Sequence, residues 1–229
     1  TIINMAQNFV GSNNINLLTP SGQFGTRRMG GKDAASPRYI FTKLEPITRT
    51  IFHPDDDELL NYLEDDGMSI EPDYYIPVIP VVLVNGSDGI GTGWSSHIPN
   101  YCPREVIANL RKMINGEEYP KMHPKYYGFS GEIAPKDENG YYCHGRIERL
   151  DENTLLISEL PLKKWTQDYK VFLEGMLTGN GGKDGKEGKL PEIKDFKENH
   201  TDTTVSFTIK VDAEKIDQFD KNPKGGLYA

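Results

Sequence analysis

The string QFGTRRMGGKDAASPRY, residues 23–39, holds the side chains best suited to chemistry on a phosphate. Arg27, Arg28, Lys32 and Arg38 lie among several glycines and lead to Tyr39. Glycine lets a backbone approach a phosphate closely, and arginine offers planar paired donors to its oxygens. A tyrosine oxygen can act as a covalent nucleophile. A phenol in water ionises near about 10, so an adjacent cation such as Arg38 would favour the phenolate. The same cation would stabilise charge developing on a five-coordinate phosphorus. Two plainer readings fit the same residues: a tyrosine in an extended segment serves as packing, and a basic glycine-rich loop holds phosphate without reacting with it.

Other residues offer less. The acids Asp55, Asp56, Asp57 and Glu58 have no partner carboxylates at ligand-like spacing and read as a solvated face. His53, His97, His123, His144 and His200 are scattered, and no metal is assigned to any residue. Cys102 and Cys143 are too few for a disulfide scaffold or a four-cysteine zinc site. Trp94 and Trp165 read as packing residues.

The elements that must position these groups are mixed. The chain has 229 residues, 36% hydrophobic, with a formal net charge of -8, which suits a soluble globular chain of one or two domains. No apolar run approaches the roughly 18 residues of a membrane span. Residues 1–50 carry six basic and two acidic side chains, whereas residues 51–77 carry nine acids and no Lys or Arg. Such a chain can turn a basic face to a polyanion while staying acidic overall.

Periodicity predicts helices over residues 2–10, 44–52, 59–63, 103–116 and 166–177, and a last one from Asp212. It predicts strands over 145–150, 154–159 and 203–211, and an extended stretch over 36–41. Residues 19–33 and 179–189 read as loops, residues 74–84 as an irregular edge strand, and NGSDGIGTGW as a glycine-rich turn. There is no internal repeat. A composition shift near residue 78 suggests a domain boundary, and the opening at Thr1, inside a helical pattern, suggests a piece of something longer.

The segment GQFGTRRMGGKDAASPRYIFT resembles the active-site segment of the eukaryotic type IIA DNA topoisomerases. TIINMAQNFVGSNNINLL, YYIPVIPVVLVNGSDGIGTGWS, ISELPLKKWTQ and HTDTTVSF resemble further segments of that family, in its order. The resemblance implies an α+β fold: a winged-helix-type piece over residues 1–78, then an α/β tower domain with a mainly antiparallel sheet over 79–229. It implies that Tyr39 attacks a DNA phosphodiester and becomes 5′-phosphotyrosyl-linked, with Arg38 supporting the transition state. Lys32 and Arg27 would hold the DNA backbone, Gln23 would approach the cleavage site, and Ile90 would wedge between base steps and bend the duplex. The bland reading of Ile90 is a turn residue filling a local core.

The implied protein is an ATP-dependent, nuclear, homodimeric enzyme acting on double-stranded DNA, with no membrane association. Its Mg2+ and ATP would be held by regions outside this chain, so this segment alone would be inactive. Three alternatives accompany this reading: a bacterial gyrase- or topoisomerase IV-like subunit, against which the SELP and HTDTTV strings argue, a non-catalytic DNA-bending module, and a nuclear scaffold whose tyrosine is a phosphorylation site.

Overall fold

The computed structural model describes residues 1–137, 140–178 and 193–216. By backbone proximity the chain divides into two compact units, one of Thr1–Phe24 and Ala34–Tyr127, the other of Gly25–Asp33 and Gly128–Ala229. Residue 78, where the composition shifts, lies inside the first unit, with its N–H bonded to Ile51 O at 2.8 Å. The winged-helix and tower assignments therefore rest on the resemblance, not on this division.

Unit 1 holds short helices α1 (Ile2–Ala6), α2 (Thr48–Ile51) and α3 (Val81–Asn85) and the longer α4 (Pro103–Ile114). Pro103 starts α4, where its missing N–H costs nothing, and Val106 is buried at 1% exposure. Two hairpins complete the unit: β1 (Tyr62–Asp65) with β2 (Met68–Pro72), and β3 (Ser87–Gly91) with β4 (Trp94–Ile98).

Asparagines do much of the joining in this unit. Asn85 exchanges two hydrogen bonds with the Ile15 backbone, at 2.9 and 2.8 Å. Asn14 donates to Tyr101 O and Lys125 O and accepts from Tyr127 N–H. A side-chain amide offers donor and acceptor together, so it can satisfy loop backbone that has no ladder partner.

Unit 2 is built on a four-stranded antiparallel sheet. Before it in sequence comes a small pair, β5 (Glu132–Pro135) with β6 (Tyr141–His144). The sheet comprises β7 (Arg146–Asp151), β8 (Thr154–Glu159), β9 (Asp195–Glu198) and β10 (Phe207–Lys210), in the order β7-β8-β10-β9. Helix α5 (Thr166–Thr178) contributes Tyr169, Leu173 and Met176 to one apolar core with Leu155, Ile157, Phe207 and Ile209. The alternation that predicted β10 is real, with Phe207 and Ile209 fully buried. The Tyr169 and Phe207 rings meet edge to face with centroids 5.4 Å apart. Burial pushes the Tyr169 phenol well above its ordinary ionisation range.

The α+β expectation holds, and the sheet is antiparallel throughout. Several element predictions need correction. Residues 59–63 were expected to be helical, but the acids before them form a 3-10 turn (Pro54–Leu59) and β1 follows. Asp66 and Gly67 both take positive φ, 48° and 76°, which is the tight hairpin turn an Asp-Gly pair favours. Residues 74–84, expected to be extended, end in α3, where Pro80 precedes the first turn. The expected loop at 179–189 lies outside the described residues.

Replacing Phe207 by alanine should cost about 3–5 kcal/mol. Urea unfolding followed by far-UV circular dichroism measures it, and a loss below about 1 kcal/mol would mean that β10 does not centre this core.

Candidate functional site

Tyr39 owes its position to a break in a backbone ladder within unit 1. Leu17 O accepts from Glu45 N–H, Thr19 N–H donates to Lys43 O, and Ser21 and Phe41 exchange two bonds at 3.2 and 3.0 Å. Continued by two residues, that register would set Gln23 opposite Tyr39. Instead Gln23 O accepts from Ala35 N–H at 2.9 Å. Residues 36–39 are looped out as a 3-10 turn, with Pro37 at its first position and Tyr39 N–H bonded to Ser36 O. The extended stretch expected here is thus interrupted at its most important residue.

Tyr39 is 66% exposed, and the Arg38 guanidinium carbon stands 4.9 Å from its ring centroid. That is cation–π distance, so the two side chains of the turn orient one another. Gly22 has φ +109°, and a Cβ there would come within 3.1 Å of Ile40, so the strand beside the turn needs glycine. Gln23 and Arg38 are exposed as well, Gln23 at the last pairing of the ladder and Arg38 on the turn that leaves it.

Ile90 lies in the same unit, on a hairpin rather than in the expected irregular turn. Gly91 faces Trp94 across a two-residue connection. Ile90, opposite Ser95, is 97% exposed, which removes the core-filling reading. Directly opposed residues share a face. Ile90 therefore shares its face with the ion-paired Asp88 and His97, while Trp94, 84% exposed, lies on the other. This corrects the reading of Trp94 as a packing residue.

The basic loop Gly25–Asp33 belongs to unit 2. Its neck is closed by Asp33, whose carboxylate accepts from Thr26 N–H and Thr26 Oγ1 at 2.8 and 2.6 Å. Gly25 and Gly30 take positive φ, and a Cβ would collide with Gly31 backbone and with the Trp165 indole respectively. Arg28 O accepts from Gln167 N–H. Arg27 is 5% exposed and its guanidinium is paired with Glu159. As placed, it does not present its charge to solvent, where a backbone-phosphate contact would need it. Lys32 and Arg28 are exposed.

Glu159 went unremarked in the sequence, although its alternation with Leu155 and Ile157 puts it on the inward side of β8. An acid at such a position requires a cation or several donors.

The acidic run is engaged locally, with Asp57 bonded to Arg49 at 2.6 Å and Asp55 beside His53. Among the described residues no group of three His, Cys, Asp or Glu could hold a metal ion. Burial pushes the Cys143 thiol up, away from the thiolate that binds metals or attacks. Among the described residues no helix is long and apolar enough to cross a membrane.

Comparison with known proteins agrees with the resemblance. The DNA gyrase/topoisomerase IV family matches residues 1–224. DNA topoisomerase 2 of Pisum sativum is 58% identical over 217 residues, covering 94% of this chain and 14% of that protein. DNA topoisomerase 2-alpha of Mus musculus is 54% identical over 218 residues, again 94% of this chain and 14% of that protein. A solved structure of the Plasmodium falciparum topoisomerase II DNA-binding, cleavage and re-ligation domain superposes with a TM-score of 0.88. It is 51% identical, over 96% of this chain and 29% of that one. The chain thus spans a small part of the full-length relatives.

Ile90→Ala should change the stability of unit 1 by no more than about 0.5 kcal/mol. Thermal unfolding checks this, and a loss of about 2 kcal/mol or more would return Ile90 to the core.

Proposed function

The chain belongs to the DNA gyrase/topoisomerase IV family, and on that premise we propose that it is part of the cleavage core of a type II topoisomerase of the eukaryotic branch. The carrying observation is Tyr39, exposed on a looped-out turn with the Arg38 guanidinium 4.9 Å from its ring. Tyr39 Oη attacks a DNA phosphorus, the P–O3′ bond breaks, and the proton lost by the phenol ends on the departing 3′ oxygen. One phosphodiester is exchanged for another, so the reverse attack of the 3′ hydroxyl reseals the strand without a new energy source.

Arg38 offsets the charge that develops on the phosphoryl oxygens. Gln23, on the adjoining strand, approaches the same DNA segment. Lys32, exposed on the loop of unit 2, contacts the sugar–phosphate backbone. Ile90 enters between base steps and holds a bend, as an apolar wedge does in other DNA-bending proteins. The winged-helix assignment for residues 1–78 and the tower assignment for 79–229 belong to this same reading.

The described residues do not fit a metal site, and no step here passes through one. Mg2+, ATP hydrolysis, strand passage and the second protomer of a homodimer are supplied by the longer protein, and the isolated segment is inactive. The relatives named above are eukaryotic, which supports a nuclear location and the eukaryotic over the bacterial branch.

In the full-length protein, Tyr39→Phe keeps the ring and removes the oxygen. It should abolish denaturation-resistant DNA adducts while DNA affinity stays within about tenfold, since the deleted hydroxyl is worth no more than a typical hydrogen bond. Adducts persisting near the wild-type yield would sink the assignment, and a wild type that bends DNA without forming adducts would establish the non-catalytic module instead. Arg38→Lys keeps the charge and loses the planar fork. It should lower adduct formation by about tenfold or more in quench-flow cleavage assays, and normal cleavage would reduce Arg38 to a steering charge.

A further inference from the structure

We infer that Glu159 is a positioning residue: through Arg27 it fixes the basic loop Gly25–Asp33 so that Arg28 and Lys32 stay turned to solvent, where DNA backbone can meet them. The inference rests on the reading of this chain as a DNA-cleaving segment.

Glu159 closes β8 at 3% exposure, on the same inward side as Leu155 and Ile157. A carboxylate there is tolerated only if its lone pairs are met. All the partners found lie in unit 2. Oε1 accepts from the Arg27 guanidinium and from Leu160 N–H at 2.9 Å. Oε2 accepts from Ser130 N–H at 3.0 Å and Ser130 Oγ at 2.9 Å. The pair joins residues 132 positions apart.

Stability alone does not call for such an arrangement, because apolar side chains of similar volume often replace a buried ion pair without loss. What a hydrogen-bonded pair adds is direction. A guanidinium donates only in its own plane, so the bond from Arg27 Nη2 to Glu159 Oε1 limits where the Arg27 backbone runs and therefore which way its neighbour points. Arg27 is buried and Arg28 is exposed. The remaining ties act on the same loop: Asp33 closes its neck, Gly30 lies against Trp165, and Arg28 O is held by Gln167 N–H. These ties hold the neck and the backbone of the loop, whereas Glu159 is the carboxylate bonded to the Arg27 guanidinium. With Glu159 neutralised, the buried Arg27 cation would lose that anionic partner and turn outward, carrying the loop with it.

The test uses the full-length protein with Glu159→Gln, and Arg27→Lys as a second variant that retains the charge but loses the fork. Duplex DNA binding is measured against salt, adduct yield at saturating DNA, and folding by thermal unfolding. Each phosphate contact contributes about 0.9 to the log–log salt slope. The variants should fold, lose about one to two from that slope, and form fewer adducts as the DNA contacts weaken. Ser130→Ala, which removes one of the four bonds, should lie between them and the wild type. Folded variants with wild-type slope and wild-type adduct yield would overturn the inference and leave the pair a stabilising contact only. If the wild type itself forms no Tyr39-linked adduct, the cleavage reading fails, and the salt slope still decides the role of Glu159.

Discussion

Backbone hydrogen bonds between residues 17–21 and 41–45 impose a register, and register in a ladder changes only in whole residues. When Gln23 pairs with Ala35, the surplus chain has to leave the ladder, and it leaves as the turn carrying Arg38 and Tyr39. Exposure of the phenol is thus a consequence of pairing elsewhere and needs no pocket of its own. Gly22 is the small residue that lets the two strands close beside the turn.

Charge in this chain is sorted by burial more than by count. Arg27 and Arg28 are adjacent and chemically identical, yet one is enclosed with a carboxylate and the other faces water. Asp57 is bonded to Arg49, whereas most of the remaining acids of residues 55–73 lie on exposed turn and hairpin surface. Exposed charges are screened within about 8–10 Å at physiological salt, so each exposed charge acts largely on its own surroundings.

The sequence disclosed the elements whose pattern is local and long. Helix α4 shows its proline start and apolar stripe, and β8 and β10 show strict alternation. The tyrosine string and the isoleucine between glycines were legible as residue types, and their exposure agrees with the positions that the resemblance picked out. Three other short strands were not legible: β5, β6 and β9 have four residues each, too few for an alternation to stand out, and β9 contributes a single apolar side chain, Phe196, to the pattern. The β1–β2 hairpin carried its signal in Asp66-Gly67, which the surrounding acids obscured. Composition also weighed Arg27 equally with Arg28, since what separates them is an acid from another part of the chain. The turn at Tyr39 depends on a pairing mismatch, which no local window contains.

The near-complete exposure of Ile90 leaves its apolar surface unused in folding. Burying such a side chain is worth roughly 1.5–3 kcal/mol, while unstacking a base step costs about a few kcal/mol. The two nearly cancel, so in the proposed wedge role insertion by this hairpin would be reversible and sensitive to how firmly each step is stacked. Pyrimidine–purine steps open most easily. A side chain without a hydrogen-bonding group would then favour some sequences over others, discriminating by the mechanical compliance of the duplex rather than by the identity of any base.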